Sequence, residues 1–458
     1  MRLAFKMAMV AVLTLAILIP LQMVRGVIHD RQQYREEAVR DIAAGFGGRQ
    51  VLAGPVLVVP YEERVVDTVN GEDGSVRQVV RRKTGQWTFF PDALSIDGEL
   101  KPDLRRRGLH QVRVYAWNGN AVARFDAAVP AESDGVQRSI GQPWLSVGIA
   151  DVGGLDGAPQ VRVNGAPVAV EQGLGHADGS GVHARLAAPA AGQRLRLDVR
   201  VALRLRGTET FAMLPLGNDN DLRLRSTWPH PKFEGRSPQQ DVGDGGFRAR
   251  WQIASVANNA QRRYLQEPSL APEARLSDAA RAALERGMPW TAPGDAVSVS
   301  LLDPVNPYVQ ADRASKYGLL FVLLTFVGFF MFELIRQVRV HPIQYLLVGM
   351  AIAIFFLLLV SLSEHIAFGL SYLLASLACI GLIGFYLSAV LRGGLRGLGF
   401  AAMLGTLYAA LYGLLLSEDN ALALGSGLLF AILAAIMVAT RRVDWYQLAS
   451  READGGSR

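Results

Sequence analysis

The sequence predicts a polytopic α-helical membrane protein with six transmembrane helices. A large periplasmic, mostly antiparallel β domain of sandwich-like character is inserted between helices one and two. Three observations predict this. Apolar residues gather in the first two dozen positions and the last third of the 458-residue chain, with a charged stretch rich in Arg, Gly and Val between them. If the helices alternate, the Lys and Arg of the N-terminus, the short loops and the tail fall on one side, and the short loops opposite contain none. Within the charged stretch, Leu195, Leu197, Val199, Val201, Leu203 and Leu205 alternate with Arg194, Arg196, Asp198, Arg200, Ala202, Arg204 and Arg206, the period of a strand with one buried face.

Residues 1–25 form the first anchor. Its basic start and apolar middle resemble a signal peptide, but no small-x-small cleavage site follows, so the segment is expected to stay uncleaved. Pro20 is expected to kink or end it near its outer edge. Residues 26–48 are charged but helical in composition, a juxtamembrane helix stopped by Gly45, Gly47 and Gly48. Residues 49–314 form the β-rich domain, in which VLVVPYEERVV, HQVRVYAWNG, DLRLRSTW, FRARWQIAS and AVSVSLL are further strands and Asn164-Gly165 is a hairpin cue. Its length leaves one or two subdomains open. Residues 315–441 form a five-helix bundle with spans at about 317–335, 343–362, 366–391, 398–416 and 421–440, each near the ~20 residues a crossing needs. A tail, 442–458, follows.

Ten basic residues flank these runs: Arg2, Lys6, Arg336, Arg339, Arg392, Arg396, Arg441, Arg442, Arg451 and Arg458. The opposite loops, SLSEH and LSEDNA, contain none, which places both termini in the cytoplasm and the inserted domain outside. The basic balance of the whole chain is not a nucleic-acid footprint. Residues 25–316 hold 37 of the 47 Lys and Arg and 34 of the 41 Asp and Glu, a net of about +3. Cys379 is the single cysteine, which excludes an intrachain disulfide and a multi-cysteine metal site.

Candidate functional residues are few. Glu364 and His365 lie between two apolar runs, where an ionisable pair within a bilayer is a functional hypothesis. Their depth favours a solvated turn at a helix end. Glu333 lies within a turn of Arg336, which points to an ion pair at the interface. Thr325, Ser371, Ser376, Ser388, Thr406 and Ser426 are expected to bond to helix carbonyls, and Gly381, Gly384, Gly405, Gly425 and Gly427 to allow close helix packing. In the β domain, Trp228 and His230 share the rigid loop WPHPKF, where a lone His is structural more often than catalytic. Arg194, Arg196, Arg200, Arg204 and Arg206 are candidate contacts to an anionic surface, although a wet sheet face carries such residues without a ligand. His176 and His183 are spaced poorly for a metal. No Gly-x-Ser-x-Gly, His-Glu-x-x-His or phosphate loop occurs, and no cofactor or metal is expected.

The stretches IPLQMVRGVIHDRQQYREEAV, STWPHPKFEG, FRARWQIASVANN, ADRASKYGLLFVLLTFVGFFMFE, HPIQYLLVGMAIAIFFLLLVSLSEH and TRRVDWYQLA closely resemble the CreD family of bacterial inner-membrane proteins. The resemblance runs from the first helix to just past the sixth. It implies an inner-membrane protein tied to cell-envelope integrity, in some bacteria under a two-component system, and it supplies no catalytic residues. The leading reading is a non-enzymatic envelope protein that acts by binding or scaffolding. Its partners are the lipid bilayer and, at the outer domain, envelope components or anionic lipid, and nothing fixes an oligomeric state. The alternatives are a transporter or transporter subunit, and an envelope-modifying enzyme that uses Glu364 and His365.

Overall fold

The computed structural model describes residues 3–70, 76–132, 136–175, 179–266, 295–301, 307–336, 340–390, 393–416 and 421–441. The tail 442–458, Arg339, Arg392 and His176 lie outside the described residues. The chain divides into two units, 1–35 with 305–458, and 36–304. In chain order the helices are α1 (Leu3–Phe46), α2 (Ala260–Gln266), α3 (Pro307–Lys316), α4 (Gly318–Arg336), α5 (Pro342–Ser363), α6 (Phe368–Val390), α7 (Gly394–Leu416) and α8 (Ala421–Thr440).

Two boundaries differ from the sequence expectation. Pro20 does not end the first helix, because α1 runs through it to Phe46 as one element of 44 residues. A proline removes one backbone bond and crowds the preceding turn. Here Ile17, Leu21, Val24 and Ile28, buried on either side of it, hold the helix against its neighbours. The second difference is α3, which occupies the end of the segment read as β. Tyr308, Ala311, Ala314 and Ser315 form one buried stripe at helical spacing. An Asp312–Lys316 ion pair at 2.8 Å lies one turn apart on the same helix. A bend of 45° separates α3 from α4.

Among the described residues four helices are long and apolar enough to cross a membrane: residues 8–46 of α1, and α5, α6 and α7. Counting the bent α3–α4 pair as one span makes five. Residues 421–440, the last run expected to span, are helical as α8. Their packing depends on small residues at particular points. A Cβ on Gly349 would lie 2.7 Å from Ile17, and one on Gly397 would lie 2.8 Å from Ser388, so α1 meets α5 and α6 meets α7 through glycine. Of the glycines expected to pack, Gly384 faces Ala401, whereas Gly381, Gly405 and Gly427 face open space. Phe321, Phe355 and Tyr408 interlock edge to face in the middle of the unit.

The unit 36–304 contains two sheets. The nine-stranded sheet is built around Gln50–Asn70, which pairs parallel with Thr210–Leu214 and antiparallel with Val76–Phe89, Val136–Ile140 and Trp144–Ile149. The eight-stranded sheet runs in the order Gln239–Gly243, Gly246–Ala254, Asp219–Ser226, Ala93–Arg107, His110–Ala128, Arg194–Thr208, Gln160–Val163, Ala166–Val168. Asp219–Ser226 and Ala93–Arg107 are parallel, so the domain is a mixed sheet structure in which antiparallel pairs predominate. Leu52, Leu57 and Val147 of one sheet share a core with Ile96, Trp117 and Val201 of the other. The Trp117 ring stacks on Phe211 across the layers at 5.0 Å. The strand phase follows the alternation in the sequence, with Val199, Val201, Leu203 and Leu205 buried. Asn164 and Gly165, both with positive φ, form the two-residue turn between Gln160–Val163 and Ala166–Val168. Gly47 ends α1 in the left-handed region, where a Cβ would sit 2.6 Å from the Arg206 carbonyl oxygen.

Candidate functional site

Glu364 is the C-cap of α5. Its side chain is 6% exposed, and Oε1 lies 3.3 Å from Nε of Arg31 on α1. The hydroxyl of Tyr308 on α3 donates to the same oxygen at 3.3 Å. Three helices therefore converge on one carboxylate. A buried charge without partners is costly, and the guanidinium and the phenol answer that cost. His365 behaves differently: it is exposed, and its Nδ1 lies 3.1 Å from the carbonyl of Ser361 on its own helix. The pair therefore splits. The solvated-turn reading describes His365 and is corrected for Glu364. Little in the sequence points to Arg31 or Tyr308. Their one signal is that Val24 and Ile28 continue a buried face past the apolar run, which carries Arg25 and Arg31 into the protein. Arg25 donates to the Ser315 carbonyl at 3.1 Å.

Glu333 is the second buried acid of this unit, 6% exposed. It accepts from the Tyr345 hydroxyl at 2.9 Å and from the backbone N–H of Val340 at 3.3 Å. The Arg336 side chain expected to pair with it lies outside the described residues. Phe326 and Phe329 pack on the Tyr345 ring. Just before it, His341 caps α5 in a reciprocal capping box with Gln344. Tyr345 and Glu364 are about 28 Å apart along α5 at 1.5 Å per residue, close to the ~30 Å of a hydrocarbon core. The two acids thus mark the two ends of α5. Thr325 and Thr406 donate to carbonyls of their own helices, and Ser371 donates to the Ala367 carbonyl just before α6.

In the β-rich unit most of the Arg stripe is already engaged. Arg194 grips Asp126 through two nitrogens, and Arg196 approaches the same carboxylate at 3.8 Å. The hydrogen bond from Arg194 is the main reason the Asp126 carboxyl lies below the usual carboxylate range. Arg204 donates to the Asp156 carbonyl at 3.1 Å and Arg206 pairs with its carboxylate at 3.3 Å. Arg200 stands in register opposite Arg162 on the neighbouring strand. Trp228 is buried and donates to the His230 carbonyl at 2.8 Å, and the Arg113 guanidinium lies 4.1 Å above its ring. This loop closes on itself, with His230 outside.

The residue least visible in the sequence is Glu209. Its side chain is 2% exposed and takes Arg49 at 2.7 Å, and its backbone is left-handed at φ 57°. The Leu301 N–H and the Arg113 carbonyl bond its backbone. Among the described residues no group of three or more His, Cys, Asp or Glu is arranged to hold a metal.

A family model described as "Inner membrane protein CreD" matches residues 2–446. Inner membrane protein CreD of Escherichia coli (strain K12) is 34% identical over 436 residues, which cover 94% of this chain and 91% of that protein.

Proposed function

The chain belongs to the CreD family of inner membrane proteins, and from that premise we propose that it supports the cell envelope without enzymatic chemistry. In this reading six spans anchor a β-rich region, about 49–314, in the periplasm, where it binds or scaffolds envelope components. The six are α1, the bent α3–α4 pair, α5, α6, α7 and α8. Both termini are cytoplasmic. The observation that carries the orientation is the distribution of charge: ten Lys and Arg lie in the N-terminus, the short loops and the tail of one side, and none in the two short loops opposite, SLSEH and LSEDNA. The anchor reading draws on the site geometry too. Glu364 is committed to Arg31 and Tyr308 while His365 turns to its own helix, so the two do not form an acid–base pair on a common substrate position.

The orientation is tested with single cysteines in a Cys379→Ala background. Ser180→Cys reacts with a membrane-impermeant thiol reagent in cells with a permeabilised outer membrane, and Gly394→Cys does not. Labelling of Gly394→Cys reverses the topology. The role is tested by survival under detergent stress at matched membrane expression. Glu364→Gln with His365→Asn restores resistance to a deletion strain, because glutamine keeps the hydrogen bonds and neither acid nor base is needed. A double variant as defective as the deletion would point to chemistry at this pair.

A further inference from the structure

The outward face of the eight-stranded sheet contains a trough of about 570 Å³, within the size range of small-molecule sites. Its floor is made of short side chains, Ala93, Ser95 and Val122, and Gln252 stands at one rim. Asp219 and Arg124 face each other across it. In register, Asp219 pairs with Ala93, and Ala93 with Arg124, so all three point to the same side of the sheet. The Cα atoms of Asp219 and Arg124 are thus two strand spacings apart, about 9.6 Å. Both are exposed, and neither is in an ion pair with a described residue. The adjacent acid, Asp221, differs in this respect: Arg223 and Arg250 both hold it, fixing one wall of the trough.

We propose that this trough binds a short extended peptide with free termini, its ammonium at Asp219 and its carboxylate at Arg124. Three extended residues span about 10 Å, the scale of the separation between the two strands that carry Asp219 and Arg124. The short floor leaves room for a backbone to lie close to the sheet, and the Ser95 hydroxyl and Gln252 amide can bond to the peptide backbone between the ends. The proposal rests on the reading of this unit as a binding domain and supplies the chemical class of what it binds.

The test uses the full chain in detergent and trialanine as the probe, with binding followed by saturation-transfer NMR. Asp219→Asn and Arg124→Gln each weaken trialanine binding about tenfold, the usual scale for a hydrogen bond to a charged group that is partly open to water. N-acetyl-trialanine binds the unmodified protein about tenfold more weakly than trialanine, and Asp219→Asn weakens it no further. Trialanine amide stands in the same relation to Arg124→Gln. This pattern of non-additive losses assigns each terminus to its residue. The proposal is overturned if trialanine fails to bind at millimolar concentration, if blocking a terminus leaves the affinity unchanged, or if the losses from substitution and blocking simply multiply. Binding in detergent is indifferent to membrane orientation, so its failure leaves the cysteine-labelling result standing, and the reverse holds too.

Discussion

The two units bury an acid in different ways. In the β-rich unit, Glu209 is 2% exposed and its partner Arg49 is 21% exposed, with 2.7 Å between them, and the backbone is bent left-handed at the acid. In the helical unit, Glu364 is 6% exposed but Arg31 is 39% exposed, at 3.3 Å. In the first pair the acid is enclosed by packed protein and holds its partner at close range. The second lies at a helix end, where water reaches the guanidinium. The surfaces invert in the same sense. The sheets hide Leu and Val and show Arg, whereas α6 and α8 show Leu373, Leu377, Phe385 and Phe430. Burial in the β-rich unit is measured against water, and in the helical unit against lipid.

The widest break in this comparison is Leu203→Arg. Leu203 is buried in the core shared by the two sheets, and an unpaired charge there unfolds the β-rich unit. In the full chain, limited proteolysis digests residues 36–304 while the helical unit persists. Digestion equal to that of the unmodified protein shows that the strand phase is wrong. Next is Glu209→Ala, which breaks the buried pair with Arg49 and costs about 3–5 kcal/mol. The readout is the thermal unfolding midpoint of the β-rich unit. Glu364→Ala costs less, about 1–2 kcal/mol, because Arg31 can turn to water. If it destabilises as much as Glu209→Ala, the contrast between the two pairs fails.

The legibility of the fold follows from period. The 194–206 alternation and the apolar runs each repeat one environment over many residues, so neither needs long-range information. Asn164-Gly165 was readable for another reason, since few residues accept two consecutive positive φ angles. The clusters were hidden because their members are far apart in the chain. Arg31, Tyr308 and Glu364 come from three helices, and Arg49 meets Glu209 across 160 positions. The helix α3 was missed because its stripe is of Tyr, Ala and Ser, too weakly apolar to stand out beside the run that follows. Arg200 and Arg206 look equivalent in the strand pattern. Only the neighbouring strand and loop reveal that one faces Arg162 and the other Asp156.

The finest difference between the units is one of pH. In the β-rich unit Asp221 is held below the usual carboxylate range, chiefly by the hydrogen bond from Arg250 and then by Arg223, with burial opposing both. Its folded pKa therefore lies below the unfolded value of about 3.9. The stability this shift supplies is present above that unfolded value and is lost as pH falls through the folded one. Asp221→Asn removes the carboxylate and leaves Arg223 and Arg250 facing each other without it. At neutral pH the variant unfolds at a lower temperature than the unmodified protein. As pH drops below about 4, the unmodified protein loses the same interaction by protonation and the two midpoints converge. The measurement is the difference in midpoint across pH 2–7, read on the β-rich unit. A gap that does not narrow as pH falls below about 4 would mean that the substitution acts through packing rather than charge.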